Sequence, residues 1–169
     1  MPPNLDIYAL TKHRDLKTIN RFIDRYADRA ANEGRGDEDI MILNPSDPFE
    51  VNWEPALTLS HMIERGLDYP RICFTIYLGA IVERELGSLI HFTADNQLVL
   101  GLSIDDEGAL PENEERAKSL LRTLVEEFDC HMGLIKVEDP PPTSEAEFIA
   151  AVKKPLFVYF YQRVSKVEE

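Results

Sequence analysis

Cysteine is scarce in this chain. Cys73 and Cys130 are the only two in 169 residues, and they lie far apart. A disulfide scaffold or a zinc ribbon needs more of them at closer spacing, so both are read as free thiols. Long apolar runs are also missing, and no stretch is long enough to span a bilayer. The N-terminal Met-Pro-Pro-Asn-Leu-Asp lacks the basic start and apolar centre of a signal peptide. Together these predict a cytoplasmic protein with no membrane partner. Positive charge is in short supply: 18 Lys and Arg stand against 31 Asp and Glu, a net charge of −13. A field of that sign disfavours nucleic acid and favours a basic partner, while also serving solubility.

Catalytic and metal motifs are missing too. Gly34-Arg35-Gly36 follows a helical pattern and lacks the Lys-Ser/Thr of a phosphate loop, so it reads as a helix end and loop. Ser103 has no nucleophile elbow around it. Cys130 precedes His131, but neighbours on a strand point to opposite faces and would not pair. His61 and Glu64 share one face of an expected helix and would need His91 or His131 to make a metal site. No HExxH and no cysteine cluster supports that. The carboxylates at Asp105, Asp106, Glu107, Glu112, Glu114 and Glu115 do not keep the spacing of a calcium loop. No catalytic residue, cofactor or metal is assigned, and the reading leans away from an enzyme.

What is present is periodicity. Hydrophobic residues make up 44% of the chain and charged residues 29%, which suits a single domain with a sizeable core. Leu5 to Leu10 alternates as a strand. Leu16, Ile19, Phe22, Ile23, Tyr26, Ala27 and Ala30 recur at helical spacing and predict a helix to about Ala30. Ile40 to Leu43 is a short edge strand, followed by a loop over Asn44–Asn52. Trp53-Glu54-Pro55 has the look of a second helix start, with proline in the first turn and Gly66 at the end.

From Arg71 to Gly108 the pattern becomes three strands in a row. Ile72, Phe74, Ile76 and Leu78 alternate, as do Leu98, Leu100, Leu102 and Ile104, with Ile90 and Phe92 between them. Asp95-Asn96 marks a tight turn, and Gly79 to Gly87 a charged connection. Pro111 opens a third helix, Met132 to Val137 is a strand, and Pro140 to Pro142 form a stiff spacer. Ser144 and Glu147 cap a short helix. Leu156 to Tyr161 is a final aromatic strand, with a helix as the alternative. The order predicts an α+β fold: a single domain over residues 1–169, mostly antiparallel, built on the three-stranded meander with helices mainly on one face.

Three surfaces draw attention. The polar face of the meander carries Thr75, Tyr77, His91, Gly101, Ser103 and Asp105. A mid-strand glycine there leaves room for a ligand, and a histidine beside a hydroxyl has the make-up of a general base. The acidic segment with Asp106, Glu107, Glu112 and Glu115 suits a basic partner. On the first helix, Lys17, Arg21, Arg25 and Arg29 repeat every four residues, with Asp24 and Asp28 placed to pair with Arg21 and Arg25. The leading expectation is a protein-protein interaction module, in one form an acidic inhibitor or immunity-type protein. The alternative is a small-molecule-binding protein or enzyme using the Tyr77, His91 and Ser103 face. The aromatic strand at Leu156 to Tyr161 adds a possible homodimer edge.

Overall fold

The computed structural model describes residues 3–33, 38–47, 49–56, 58–79 and 86–164. Six strands form one antiparallel sheet: β1 (Asn4–Thr11), β4 (Phe74–Leu78), β5 (Leu86–Phe92), β6 (Leu98–Asp105), β7 (Met132–Val137) and β8 (Phe157–Gln162). Their order is β4-β5-β6-β1-β7-β8. The chain is thus mixed α+β. The aromatic segment expected over Leu156 to Tyr161 is a strand, shifted one residue to Phe157–Gln162, and β1 enters the middle of the sheet between β6 and β7.

Helices α1 (Leu16–Tyr26), α3 (Leu59–Asp68) and α4 (Pro111–Glu127) cover one face. Ile7 and Ala9 of β1, Phe74 and Ile76 of β4, and Leu98, Leu100 and Leu102 of β6 point into that layer and are buried. They meet Ile19, Phe22 and Ile23 of α1, Met62 and Ile63 of α3, and Leu121 and Leu124 of α4. Each fully buried side chain of this size contributes about 1.5–3 kcal/mol through removal from water. Helix α1 starts where the Asp15 carboxylate accepts from the Thr18 N–H at 2.8 Å.

Several local readings are corrected. The first helix does not run to Ala30. Ala27 is extended (φ −140°, ψ 155°), and a short α2 (Arg29–Glu33) follows, its Ala31 N–H bound to the Asp28 carboxylate at 3.1 Å. Buried Asn32 then ties α2 to the end of β4, donating to Gly79 O and accepting from Gly79 N. The helix expected at Trp53 is a strand. β2 (Glu38–Leu43) and β3 (Val51–Ala56) form a separate antiparallel ribbon, with Met41 opposite Trp53 and Asp39 opposite Pro55. Pro55 fits there because, among the described residues, β3 pairs with β2 alone, which leaves an edge where a missing N–H costs nothing. Thr58 caps α3 instead, accepting from His61 N at 3.1 Å. The loop read at Asn44–Asn52 gives up Val51 and Asn52 to β3. Gly34-Arg35-Gly36 and most of the Gly79–Gly87 connection lie outside the described residues.

The arginines of α1 also pair differently than their spacing predicts. Arg25 reaches Glu127 at 3.2 Å, Arg21 donates to Glu127 O at 3.0 Å, and Arg29 pairs with Asp24 at 2.9 Å. Arg21 and Arg25 thus dock on the end of α4, while Arg29, on α2, reaches back to α1, and such exposed pairs are worth tenths of a kcal/mol each.

Arg14, between β1 and α1, is the densest polar junction. Its guanidinium donates to the carbonyls of Gly66, Tyr69, Ile72, Thr93 and Gln97 at 2.7–3.3 Å. It also lies 5.1 Å from the centre of the Phe92 ring. Gly66 does not end α3; the helix passes through it to Asp68. A Cβ at Gly66 would come within 2.3 Å of Phe92 Cζ, so glycine is what lets helix and ring touch. Alanine normally stabilises a helix by about 1 kcal/mol over glycine. Here Gly66→Ala is expected to destabilise by about 1–3 kcal/mol, because a wedged ring must move. Gly87→Ala, whose Cβ would sit 3.4 Å from Ser103 Cβ, is expected to be near neutral. Urea unfolding of both variants checks this, and equal midpoints would contradict it.

Candidate functional site

The opposite face of the sheet is divided. Register places Thr75, His91, Val99, Leu10 and Met132 in one row across it, and Tyr77, Leu89, Gly101, Tyr8 and Leu134 in the next. A third row runs Gly87, Ser103, Asp6 and Lys136. After β7 the chain crosses this face as a strap over residues 138–144. Pro141 and Pro142 of the strap are buried. It ends in helix α5 (Glu145–Ala150), capped by Ser144, which accepts from Glu147 N at 3.2 Å. The Glu147 carboxylate accepts from Thr143 N at 2.8 Å.

Helix α5 and the strap are pinned to the β5–β6 turn. Ala94 N donates to Thr143 O at 2.8 Å, Glu145 N to the Asp95 carboxylate at 2.9 Å, and Gln97 Nε2 to the Glu145 carboxylate at 2.9 Å. Phe148 and Ala151 bury a second, smaller apolar cluster with Tyr8, Leu10, Val99, Met132 and Leu134. One half of the supposedly open face is therefore core.

His91 belongs to that closed half. It is fully buried, with Nδ1 2.8 Å from Thr75 Oγ1 and Nε2 3.6 Å from Cys73 Sγ. Burial, aided by the charge of Arg14, pushes its pKa down to about 3. Burial likewise pushes the Cys73 thiol up to about 12. Imidazole and thiol are thus both neutral at pH 7, an arrangement for packing and not for proton transfer. Cys130 is buried as well, its Sγ 3.6 Å from Leu124 O.

The other half of the face is a cavity of about 420 Å³. Gly87 and Gly101 keep its floor low, and a Cβ at Gly101 would come within 2.7 Å of the Leu89 side chain. Tyr77, 62% exposed, forms one wall. Tyr8, Asp6 and Ser103 form the base, and Glu138, Asp139 and Pro140 of the strap the other wall. The Tyr8 hydroxyl donates to Asp139 O, and Asp139 N donates to the Asp6 carboxylate at 3.1 Å. Lys136 pairs with Asp139.

Asp6 is the unusual group. Burial raises its pKa to about 6, with the nearby Glu138 charge adding to the rise and the Ser103 hydroxyl and Lys136 opposing it. A carboxylate held this way gains from any cation that replaces its lost water. Among the described residues that line the cavity, no Lys, Arg or His is present.

The residues expected at the site are therefore split. Tyr77, Gly101 and Ser103 line the cavity; Thr75 and His91 bond to each other beside it. Asp105 is exposed at the end of β6, opposite Asn4, which lines the cavity. Asp106 follows, its N–H bound to Pro3 O at 2.8 Å and its carboxylate to Asn113 at 3.0 Å. Glu107, Glu112 and Glu115 are exposed, with Glu115 3.4 Å from Lys118. The start of the acidic segment thus lies at the cavity's end of the sheet. Asp6, Tyr8, Glu138 and Asp139 were not anticipated. The alternation of Asp6 and Tyr8 against Leu5, Ile7 and Ala9 was the available signal. His61 and Glu64 are both exposed on α3, and among the described residues no group of three or more His, Cys, Asp or Glu is placed to hold a metal ion. No helix among them is long and apolar enough to cross a membrane.

No protein-family model, no curated protein and no solved structure matches this chain.

The buried histidine gives a direct check. In the unfolded chain His91 takes a proton near its ordinary value of about 6.5. Between that value and about 3 the unfolded state holds the extra proton, so stability falls as pH drops through this window. The ring signals of His91 are expected to show no NMR inflection from about pH 8 to about 4.5. A midpoint near 6.5 would contradict its burial.

Proposed function

We propose that this chain is a protein-binding module whose outer-face cavity receives a basic side chain of a partner. The carrying observation is a cavity whose described ionisable lining is carboxylate and phenol, with the Asp6 carboxylate half withdrawn from water. Guanidinium and ammonium groups suit such a lining. They donate to the carboxylates of Asp6 and Glu138, Asp139 being matched already by Lys136, and they lie favourably against the rings of Tyr8 and Tyr77. Asp105, Asp106 and Glu107, at the same end of the sheet, extend the negative field beyond the rim and favour rapid encounter with a basic surface. An acidic inhibitor of a basic protein is one form this activity takes. A second reading, a small organic amine as ligand, draws on the cavity volume, which falls within the range of small-molecule sites.

The test compares a short peptide carrying one arginine with the same peptide carrying neutral citrulline. The arginine peptide is expected to shift NMR signals of Asp6, Tyr77 and Ser103, and the citrulline peptide to leave them unmoved. Affinity is expected to drop about tenfold from pH 7.5 to 5, as a group titrating near 6 loses its charge. Asp6→Asn is expected to abolish that pH dependence. Equal binding of both peptides would sink the proposal, and binding of arginine amide as tight as that of the peptide would favour the small-amine reading.

A further inference from the structure

The acidic cavity has a neighbour. Tyr77 is a wall of that cavity, and it also lines a second pocket of about 230 Å³ at the seam between β4 and the β2–β3 ribbon. The ribbon is a separate sheet, tied to the approach of β4 where Leu43 N donates to Cys73 O at 2.8 Å. At this seam the pocket reaches down to the buried side chains of Met62 and Ile76. Asp39 is the one charged residue of its described lining, and apart from Thr75 the others are apolar or aromatic.

Alternation sets the two faces of the ribbon apart. Ile40 is buried and Ile42 packs against the main core, so Met41 and its cross-strand partner Trp53 belong to the other face, with Val51 beside them. Met41, Trp53 and Tyr77 all line the pocket, and all three are exposed, Trp53 by 62%. Single exposed apolar residues are ordinary on any surface. Trp, Tyr and Met gathered round one pocket have instead the composition of the centre of a protein contact. Tyr77 thereby joins a carboxylate-lined cavity to an apolar one. Among the described residues neither lining holds a Lys, Arg or His, so a cation arriving beside Tyr77 meets no like charge there.

We infer that this surface takes one extended segment of a partner protein, with a basic side chain in the acidic cavity and a bulky apolar side chain in the pocket lined by Met41 and Trp53. This rests on the reading of the cavity as a receptor for a basic side chain, and adds the partner's second anchor. The basic group lies against the Tyr77 ring as it reaches Asp6. The apolar group displaces water from Met41 and Trp53, and the flexible methionines adapt to its shape. Strand β4 and the Asp6-bearing β1 are three strand spacings apart, about 14 Å. An extended chain spans that in about four residues, so the apolar residue stands about that far from the basic one. The requirement for both anchors sets such a segment apart from a uniformly basic tail, which fills the cavity alone.

Trp53 is the only tryptophan in the chain, so its fluorescence reports on the second pocket. Three Gly/Ser-based peptides are compared on the full chain. One carries a single arginine, one an arginine with a leucine four residues away, and one citrulline in place of that arginine beside the same leucine. Leucine three or five residues away, before or after the arginine, extends the series. The arginine peptide is expected to shift the NMR signals of Asp6 and Ser103 and to leave Trp53 emission unchanged. Adding leucine is expected to tighten binding about tenfold and to move Trp53 emission to the blue. Met41→Gln, an exposed change checked for folding by circular dichroism, is expected to remove most of that gain while the arginine-only peptide binds as before. An arginine peptide that leaves Asp6 and Ser103 unmoved would overturn the cavity reading itself. With those shifts present, a leucine that adds no affinity at any spacing, or that leaves Trp53 emission unchanged, would overturn the second anchor alone. A citrulline-leucine peptide that binds as tightly as its arginine counterpart would contradict a segment held at two points.

Discussion

The position of Arg14 governs much of this structure. Five carbonyls from three separate segments converge on one guanidinium. Gly66 and Tyr69 lie near the end of α3, Ile72 on the approach to β4, and Thr93 and Gln97 at the β5–β6 turn. The last carbonyls of a helix lack intrahelical donors, and a cation at that end also meets the negative pole of the helix dipole. A planar fork with five N–H groups serves several acceptors at once, which a lysine ammonium does not. The same group lies over Phe92, whose ring fills the space left by Gly66 and packs 5.0 Å from the Phe74 ring. Helix, turn and sheet are thereby fixed to one another. The β5–β6 turn in turn anchors the strap and α5.

From that anchoring comes the asymmetry of the outer face. Where α5 covers the sheet, polar residues are absorbed into packing, and His91 and Cys73 are held neutral. Beyond the strap, two glycines and the exposed end of β6 leave the sheet bare. The strap supplies Glu138 and Asp139 to that bare half, while β1 supplies Asp6 and Tyr8. Prolines give the crossing its stiffness, so Glu138 and Asp139 meet the carboxylate on β1 without a helix or strand of their own. The site is the edge of a covered region, which is why its carboxylate is only partly withdrawn from water.

Strong periodicity made most elements legible. The alternation of Phe74, Ile76, Leu98, Leu100 and Leu102 and the stripe of Ile19, Phe22 and Ile23 name the core face and the helices that cover it. The ribbon was hidden because Trp53-Glu54-Pro55 satisfies helix-start chemistry locally, and only pairing with β2 makes it a strand. Arg14 was invisible for a different reason: its partners are backbone carbonyls, which leave no mark on side-chain pattern. At the site, Tyr77, Gly101 and Ser103 could be found from alternation alone. Asp6 and Tyr8 also alternate, but placing them beside Ser103 and Gly101 requires knowing that β1 inserts next to β6. His91 was misplaced because a face with Thr, Tyr and His reads as solvated until α5 is seen to cover it.

The charge state of Asp6 decides whether the cavity receives a cation. Its carboxyl carbon can be followed by 13C NMR as pH is varied across the acid range. A midpoint near 6 is the predicted result, well above the ordinary aspartate value of about 3.9. Addition of the arginine peptide should move that midpoint down, because a bound cation favours the charged form. A midpoint below about 4, unmoved by the peptide, would mean that Asp6 is an ordinary solvated carboxylate and that the cavity is not built for a cation.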